Sequence, residues 1–553
     1  MADLPRKKKH KYIFVIGGVM SGVGKGIATS SIGRILQGKG FVVNPIKIDP
    51  YLNVDAGTMN PTEHGEVFVL DSGMECDQDM GNYERFMDVG LNSEDYITSG
   101  IVYKHVIDKE RNLGYKGKCV EAIPHITEEI TNRIMKAAEI NKSDITLVEI
   151  GGTIGDYQNI LFVEAARVLK LKNPQDVMFI LVSFLPIPSK IGEMKTRPTQ
   201  NAVRTLNSYG VQPDMIIARS EVALDDKRKE KISISCNVPT ENIISAPDIE
   251  SIYEVPVNFE RDRIGKKILK ILHLKPKNDN GMSDWRDFVD RMKNVEQEVN
   301  IAVAGKYFDT GSFVLSDAYL SVIEAIKFSC YKVGVKPKLT WLNSKDFEGK
   351  KVNLRQLSKF DGIIVPGGFG STGIEGKIKI IEYARTHNIP YLGLCYGMQL
   401  AVIEYARNVL GFTDAMTTEV FPETTHPVID VMLDQKKHIA EEKYGGTMRL
   451  GAYPALVRKG THAHEAYKSD EISERHRHRY EVNPNYIAEL EKAGLVFSAT
   501  SPSGVLMEIA ELPKSVHPFF LGTQFHPEFK AHPLSPHPLF TAFVKAVSLK
   551  SKK

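Results

Sequence analysis

The chain has 553 residues, 42% of them apolar and 25% charged, with a net charge of 71 − 68 = +3. That length exceeds a single hydrophobic core and suits two large domains or roughly three to four small ones. The near-neutral charge disfavours a nucleic-acid partner, and no apolar stretch reaches the ~18 residues of a membrane span. The 5 cysteines are scattered without C-x-x-C spacing, which excludes a zinc ribbon or disulfide framework and points to a reducing cytoplasm.

The basic run Arg6–Lys11 reads as a solvated tail. From Tyr12 an apolar strand runs into Gly17-Gly-Val-Met-Ser-Gly-Val-Gly-Lys25, where a helical pattern begins. A strand, a glycine-rich turn and a helix N-terminus form an anion cradle, to which Lys25 adds a full charge. A strict phosphate-loop pattern needs Gly at position 19 and Ser or Thr at position 26; here they are Val19 and Gly26. The usual hydroxyl ligand for magnesium is therefore missing, so a metal must be held by carboxylates from elsewhere.

A second strand, Phe41–Ile48, leads into an irregular, Gly/Asp/Glu-rich stretch to Arg85 that carries His64, Asp77 and Asp79. Long irregular segments inside domains are usually functional. Next come a helix over His125–Ala138 and a buried strand from Ile145 that closes on Glu149 and glycines. The units that follow are helix Leu161–Leu171, strand Val177–Val182, helix Thr199–Tyr209, strand Met215–Ala218, helix Asp226–Cys236 and strand Ile243–Ala246. Alternation of this kind predicts an α/β fold with a doubly wound, mostly parallel sheet, whose ligands bind beyond the carboxyl ends of the strands. Gly17–Gly24, Asp79, Glu149, Lys195–Gln200 and Asp248 all lie at or after strand ends and could line one crevice. Glu149 and Asp79 are the magnesium candidates, as hard oxygen donors. Lys47 also lies in this half. Lys195-Thr196-Arg197-Pro198-Thr199-Gln200 supplies cations, hydroxyls and an amide suited to a polyphosphate or a base edge, or else a solvated basic turn.

A polar linker over 274–298, holding a short helix Trp285–Met292, separates a second α/β half that opens with strand Val299–Lys306. Its predicted units are helix Asp317–Tyr331, strand Lys338–Leu342, strand Asp361–Val365 before Pro366-Gly-Gly-Phe-Gly370, and strand Ile389–Leu392 before Gly393-Leu-Cys395-Tyr-Gly397-Met-Gln399. A nucleophile flanked by glycines on a sharp strand-to-helix turn is the elbow arrangement, here with Cys395. A helix N-terminus lowers the thiol pKa, and an imidazole can take the proton. Late in the chain, strand Phe519–Thr523 ends in Gln524-Phe-His526-Pro-Glu528, a base followed by a carboxylate to orient it. The backbone N–H groups of Gly368 and Tyr396 are candidate oxyanion donors.

Pro366–Gly370, Gly393–Gln399 and Gln524–Glu528 resemble class I (triad) glutamine amidotransferases. About residues 11 to 547 resemble the CTP synthase family, on Gly17–Gly26, Lys47–Tyr51, Gly57–Pro61, His64–Phe68, Val148–Thr153, Lys195–Gln200, Gly445–Gly451 and Glu474–Glu481. The resemblance implies an N-terminal domain (1–273) that phosphorylates UTP at O4 with ATP and magnesium, and a C-terminal domain (299–553) that releases ammonia from glutamine through a Cys395 thioester. Ammonia would then travel internally to C4, giving CTP. By motif, Gly22, Val23, Gly24, Lys25, Gly26, Ile27, Asp79 and Asp248 would hold ATP, and Lys25 and Lys47 would support phosphoryl transfer. Ser21, Asp156, Tyr157, Gln158, Lys195–Gln200 and Lys231 would hold UTP or CTP. Gly368, Tyr396, Gly397, Met398, Gln399, Glu419 and Arg479 would hold glutamine. GTP activation, CTP feedback, tetramers and filaments are further implications.

The sequence departs from the family pattern at Gly155-Asp156-Tyr157-Gln158, where G-D-I-E is usual, at Leu113-Gly-Tyr-Lys-Gly117, and at Tyr396 in place of Leu. The first is expected to re-tune CTP feedback, the second to alter GTP coupling, and the third to leave activity intact. Other readings at this point are an amidoligase acting on a carboxylate and a nucleotide-responsive assembly protein with vestigial catalysis.

Overall fold

The computed structural model describes residues 10–190, 192–278, 281–305, 316–349, 352–368, 370–432, 435 and 445–552. Of the basic run, only His10 and Lys11 fall within these residues. The chain forms two compact units: residues 1–55 with 82–289, and residues 56–81 with 290–553.

The first unit is built on a 7-stranded sheet. From one edge its strands are Tyr96–Thr98, Val43–Asp49, Ile145–Ile150, Lys11–Gly17, Val177–Phe184, Met215–Ser220 and Ile243–Pro247. All neighbours pair in parallel. These strands read as unbroken apolar runs because helices cover both faces, so no alternation is needed. Phe14, Ile46, Val148, Phe179 and Leu181 are fully buried or nearly so. The register sets Glu149 opposite both Val15 and Lys47, which brings a carboxylate and an ammonium side by side near the carboxyl ends. The central strand Lys11–Gly17 lies where the winding reverses, the usual place for a ligand crevice.

Part of the predicted linker is folded into this unit. Helix Ser283–Asn294 buries Trp285 completely, and its indole N–H donates to the Tyr253 carbonyl at 2.8 Å. Phe86 lies 5.2 Å from the Trp285 ring, and Arg34 sits over that ring at 5.4 Å while pairing with Asp284. Strand Tyr96–Thr98 and helix Ser99–Arg111 are additions that the apolar pattern did not signal, the strand because it is only 3 residues long.

The second unit carries a 9-stranded sheet. Its parallel part runs Lys336–Asn343, Glu298–Gly305, Gly362–Val365, Tyr391–Leu394 and Phe520–Thr523. An antiparallel extension follows: Met507–Glu511, Val496–Thr500, Arg449–Val457 and Glu471–His478. The extension is absent from the sequence reading because these strands do not look apolar. Glu-Ile-Ser-Glu-Arg-His-Arg-His (471–478) reads as surface, yet Glu474 and Arg475 are buried and both are paired, as is Arg477. Glu474 accepts from Tyr467 at 2.8 Å and from His537 at 2.9 Å. Arg475 pairs with Asp71 at 2.5 Å and Arg477 with Glu75 at 2.8 Å. Those two carboxylates come from the early segment 56–81, whose short hairpin Phe68–Val69/Glu75–Cys76 belongs to this unit.

Candidate active sites

In the first unit the loop after Gly17 climbs out of the sheet and returns at Lys25, where helix Lys25–Gly38 starts. Gly24 has φ 90°, a left-handed conformation open to glycine at no steric cost. Val19, standing where the strict pattern has glycine, also takes a positive φ of 79°. Ser21 and Gly22 are exposed, while Val23, Lys25 and Gly26 are buried. The Lys25 ammonium donates to the Gly152 carbonyl at 2.9 Å, which holds it across the mouth of the loop.

Lys47 and Glu149 meet as the register requires. Their charged atoms are 3.0 Å apart, and both side chains are buried. The Tyr83 hydroxyl donates to the second Glu149 oxygen, and Asp49 lies 3.7 Å from the Lys47 ammonium. Among the described residues, no three His, Cys, Asp or Glu side chains are grouped to hold a metal ion. A carboxylate at the strand ends beside a glycine-rich loop fits the hard-oxygen chemistry of magnesium, which takes most of its other ligands from phosphates and water. Asp79 belongs to the second unit, in the first turn of helix Gln78–Met87, and its backbone N–H donates to Asp77 at 2.8 Å.

Beside the loop is an apolar cleft lined by Ile27, Ile217, Ala246, Val255 and Phe259, with Arg219 at its side. Arg219 pairs with Asp248 at 2.8 Å, and its guanidinium lies 3.3 Å from where a Cβ on Gly24 would stand. Sequence reasoning named Asp248 but missed Arg219. The only signal was a cation at the end of an apolar strand.

The segment Lys195–Gln200 is split by orientation. Thr196, Thr199 and Gln200 are buried: the Thr199 hydroxyl meets that of Ser183 at 2.8 Å, and the Gln200 amide donates to Thr196 at 3.2 Å. Arg197 is exposed, Pro198 opens the helix, and Lys195 pairs with Glu193 at 2.6 Å. Asp156 accepts from the Thr153 backbone N–H at 2.6 Å, whereas Tyr157 is 91% exposed, and Gln158 and Lys231 are also exposed.

In the second unit the turn has almost no length. Strand Tyr391–Leu394 ends, Cys395 alone makes the bend, and helix Tyr396–Asn408 starts. Cys395 sits at φ 47°, ψ −98°, far from any regular conformation. Strain of this kind is held by its surroundings. The Cys395 N–H donates to the Thr523 carbonyl at 2.6 Å, and a Cβ on Gly397 would come within 2.1 Å of the Val365 carbonyl. Glycine at 397 is thus a requirement of close packing. The first-turn N–H groups of a helix have no intrahelical acceptors, and Cys395 sits immediately before them.

His526 and Glu528 stand at the end of the neighbouring strand Phe520–Thr523. The His526 Nδ1 meets Glu528 Oε1 at 2.7 Å. Burial works against a charged ring, but the charges of Glu528 and Cys395 outweigh it and push His526 up to about 10. The site therefore favours a charged imidazolium ring at His526. Gly367, Gly368, Arg477 and Glu66 share a cavity of about 70 Å³ with Cys395 and His526.

The expected glutamine ligands take two kinds of position. Glu419 accepts from the Gly370 N–H at 2.9 Å, and the Tyr396 hydroxyl donates to the Gly370 carbonyl at 3.2 Å, so both brace the Pro366–Gly370 turn; Phe369 lies outside the described residues. Gln399 donates to the Tyr480 carbonyl at 2.8 Å and to Gln524 at 3.2 Å; Met398 is buried; Arg479 donates to Gln435 at 2.7 Å. Gln524, to which the sequence reading gave no role, donates toward the Cys395 sulfur at 3.6 Å. The Arg477 carbonyl lies 3.9 Å from that sulfur, a backbone contact that no side-chain motif could announce.

Residues 11–274 match the family model for the CTP synthase N-terminus, and residues 314–546 match that for class I glutamine amidotransferase. The CTP synthase of Pyrococcus abyssi is 50% identical over 538 residues, covering 97% of this chain and 97% of its own. That of Caldanaerobacter subterraneus subsp. tengcongensis is 49% identical over 538 residues, covering 97% and 98%. A solved Trypanosoma brucei CTPS glutaminase domain with bound acivicin is 39% identical, covers 45% of this chain and 94% of its own, and has a TM-score of 0.42.

Proposed function

The chain belongs to the CTP synthase family of glutamine-dependent ligases, and on that premise we propose that its two sites divide one amination between them. The observation that carries the reading is the strained Cys395 at a helix start, with His526 and Glu528 in line behind it. Cys395 thiolate attacks the glutamine carboxamide carbon. The C–N bond breaks as the His526 imidazolium gives its proton to the departing ammonia, leaving a thioester that water hydrolyses to glutamate. The N–H groups of Gly368 and Tyr396 take the oxyanion, while Glu419 and Arg479 shape the pocket for the amino acid ends.

In the first unit, ATP's phosphates lie on the loop Gly22–Ile27 and the adenine in the apolar cleft beside Arg219 and Asp248. UTP is held by Ser21, Asp156, Tyr157, Gln158, Lys195–Gln200 and Lys231. The uracil O4 attacks the γ-phosphorus, ADP leaves, and Lys25 and Lys47 offset the charge that builds on the transferred group. Ammonia then adds at C4 and phosphate departs, giving CTP. Magnesium, when bound, would neutralise phosphate charge; Glu149 in the first unit and Asp79 in the second are the hard-oxygen donors that would hold it. Delivery of ammonia through the interior, away from water that would protonate it, completes the reading. Activation by GTP, feedback by CTP, assembly into tetramers or filaments, and a cytoplasmic location rest on family membership alone, as does the division into domains at 1–273 and 299–553.

The test is the conversion of UTP to CTP, followed by absorbance with ATP and magnesium and with either glutamine or ammonia. Cys395→Ala is expected to abolish the glutamine reaction and keep the ammonia one. If UTP is not consumed with either nitrogen source while a carboxylate substrate is amidated, the assignment of substrate is wrong.

A further inference from the structure

Strand Glu471–His478 is the rail along which the Cys395 site is built. Its Arg475 carbonyl accepts from the His526 N–H at 2.8 Å, and the Tyr480 carbonyl just beyond it accepts from Gln399. Two histidines of this strand, His476 and His478, are 1% and 2% exposed and take no part in the chemistry described above.

They are joined to each other and to a buried carboxylate. His478 Nδ1 lies 3.2 Å from the Tyr480 carbonyl, and His476 Nδ1 lies 3.0 Å from His478 Nε2. Glu508 is fully buried on strand Met507–Glu511; one oxygen accepts from Arg449 at 2.8 Å, and the other lies 3.5 Å from His476 Nε2. Neither that oxygen nor that nitrogen has a hydrogen-bond partner among the described residues.

The donors and acceptors can be followed one by one. A carbonyl only accepts, so His478 Nδ1 carries a proton. A neutral His478 then accepts at Nε2, so His476 donates from Nδ1 and is bare at Nε2. An ionised Glu508 would place a second bare acceptor 3.5 Å away in a dry interior, an arrangement that costs free energy unless a proton lies between the two. Arg449 is shared between two carboxylates, Glu508 at 2.8 Å and Glu481 at 3.3 Å. Moving the proton onto a ring would set an imidazolium among Arg449, His526 and Lys530, whose charges all oppose it.

We infer that the Glu508 carboxyl is held protonated and donates to His476 Nε2, completing a run of donors through His476 and His478 that ends on the Tyr480 carbonyl and holds it in place to accept from Gln399 as well, the residue that donates to Gln524 and so aims the Gln524 amide at the Cys395 sulfur. Glu508 and the two histidines are positioning residues for the nucleophile. The inference rests on the reading of Cys395 as that nucleophile. Burial acts in the same direction: it raises Glu508 against the pull of Arg449, and with Arg449 it lowers both rings well below the usual histidine range. The other groups around the chain are Glu481, 3.7 Å from His478, and Tyr453, whose ring is 5.5 Å from that of His476.

The carboxamide of Glu508→Gln reproduces a protonated acid: its oxygen accepts from Arg449 and its NH₂ donates to His476. Glu508→Met fills the space and does neither. For the full-length enzyme, Glu508→Met is expected to lower kcat for glutamine hydrolysis by about tenfold or more with KM little changed, as small misplacements at reacting groups do. Glu508→Gln is expected to restore kcat to within about threefold of the parent. Equal loss in both variants, or no loss in either, overturns the inference. Should Glu508→Met not fold, infrared difference spectra decide: parent minus Glu508→Gln at neutral pH must contain a protonated-carboxyl stretch, and a carboxylate signal in its place overturns the inference. Cys395→Ala keeps the readings apart, because glutamine hydrolysis that survives in it defeats the site assignment and leaves the infrared result standing.

Discussion

Two turns in this chain share one plan and do opposite things. Each joins a parallel strand to a helix through glycines, one at Gly17–Lys25 and the other at Leu394–Tyr396. The first is long, with Ser21 and Gly22 exposed and left-handed residues at Val19, Gly22 and Gly24. A long turn lets several backbone N–H groups curve around an anion, and its one prominent side chain, Lys25, is drawn back to the Gly152 carbonyl. The second turn has the length of Cys395 itself, held at φ 47° between packed glycines. A turn that short cannot wrap a ligand. It can only force one side chain out of the sheet, with the helix N-terminus beneath it. Turn length thus decides whether the backbone or a side chain is offered to the substrate.

The sharpest way to break the comparison is to remove the offered group. Cys395→Ala should lower glutamine-dependent CTP formation by about 10⁴-fold or more, in the range seen when a nucleophile is deleted, and leave the ammonia-dependent rate within about twofold; equal loss of both rates would mean that the short turn serves both reactions. Lys25→Ala should cost about 10²–10³-fold in CTP formation with either nitrogen donor, as removal of one charge-stabilising donor does. Glutamine hydrolysis measured alone should persist in that variant, and its loss would show that the long turn is not confined to the phosphate chemistry.

Smaller effects separate the two kinds of glycine. A Cβ on Gly397 meets the Val365 carbonyl at 2.1 Å, whereas one on Gly22 meets nothing within 4 Å. Gly397→Ala should therefore destabilise by about 1–3 kcal/mol through overpacking. Gly22→Ala, strained only by its φ of 71°, should cost about 1 kcal/mol. Denaturant midpoints check both, and equal losses would remove the distinction.

A last expected effect is on pH. His526 is raised from 6.5 to about 10 in the fold. Its protonation therefore stabilises the fold fully below about pH 6.5, and the contribution is lost as pH rises through about 10. Unfolding midpoints between those limits should fall more steeply in the parent than in Glu528→Gln. Parallel slopes would show that Glu528 does not hold the ring charged.

Much of this was legible in the chain. Apolar runs stopped by glycine located the parallel strands, and Cys395, His526 and Glu528 stood out because each occupies a strand end in a recognisable motif. Lys47 and Glu149 were each singled out, but for separate tasks; their pairing at 3.0 Å depends on strand register, which spacing alone does not give. Lys195–Gln200 reads in sequence as one polar set, yet the fold turns Thr196, Thr199 and Gln200 inward. The strand Glu471–His478 was illegible for a different reason: a charged residue reads as exposed until its partner is known, and the partners of Arg475 and Arg477 are some 400 positions earlier, at separations of 404 and 402 residues.

That separation has a consequence in time. Residues 56–81 leave the ribosome long before strand Glu471–His478, with which they pack in the second unit. At about 5–20 residues per second, the 402 residues between Glu75 and Arg477 take on the order of 20–80 s to make. Through that interval the hairpin Phe68–Cys76 is without the arginines that neutralise it, while the first-unit strands, all made by Pro247, gain their neighbours well before it ends. The nascent chain must carry an acidic, unfinished excursion out of a domain that is otherwise ready to fold.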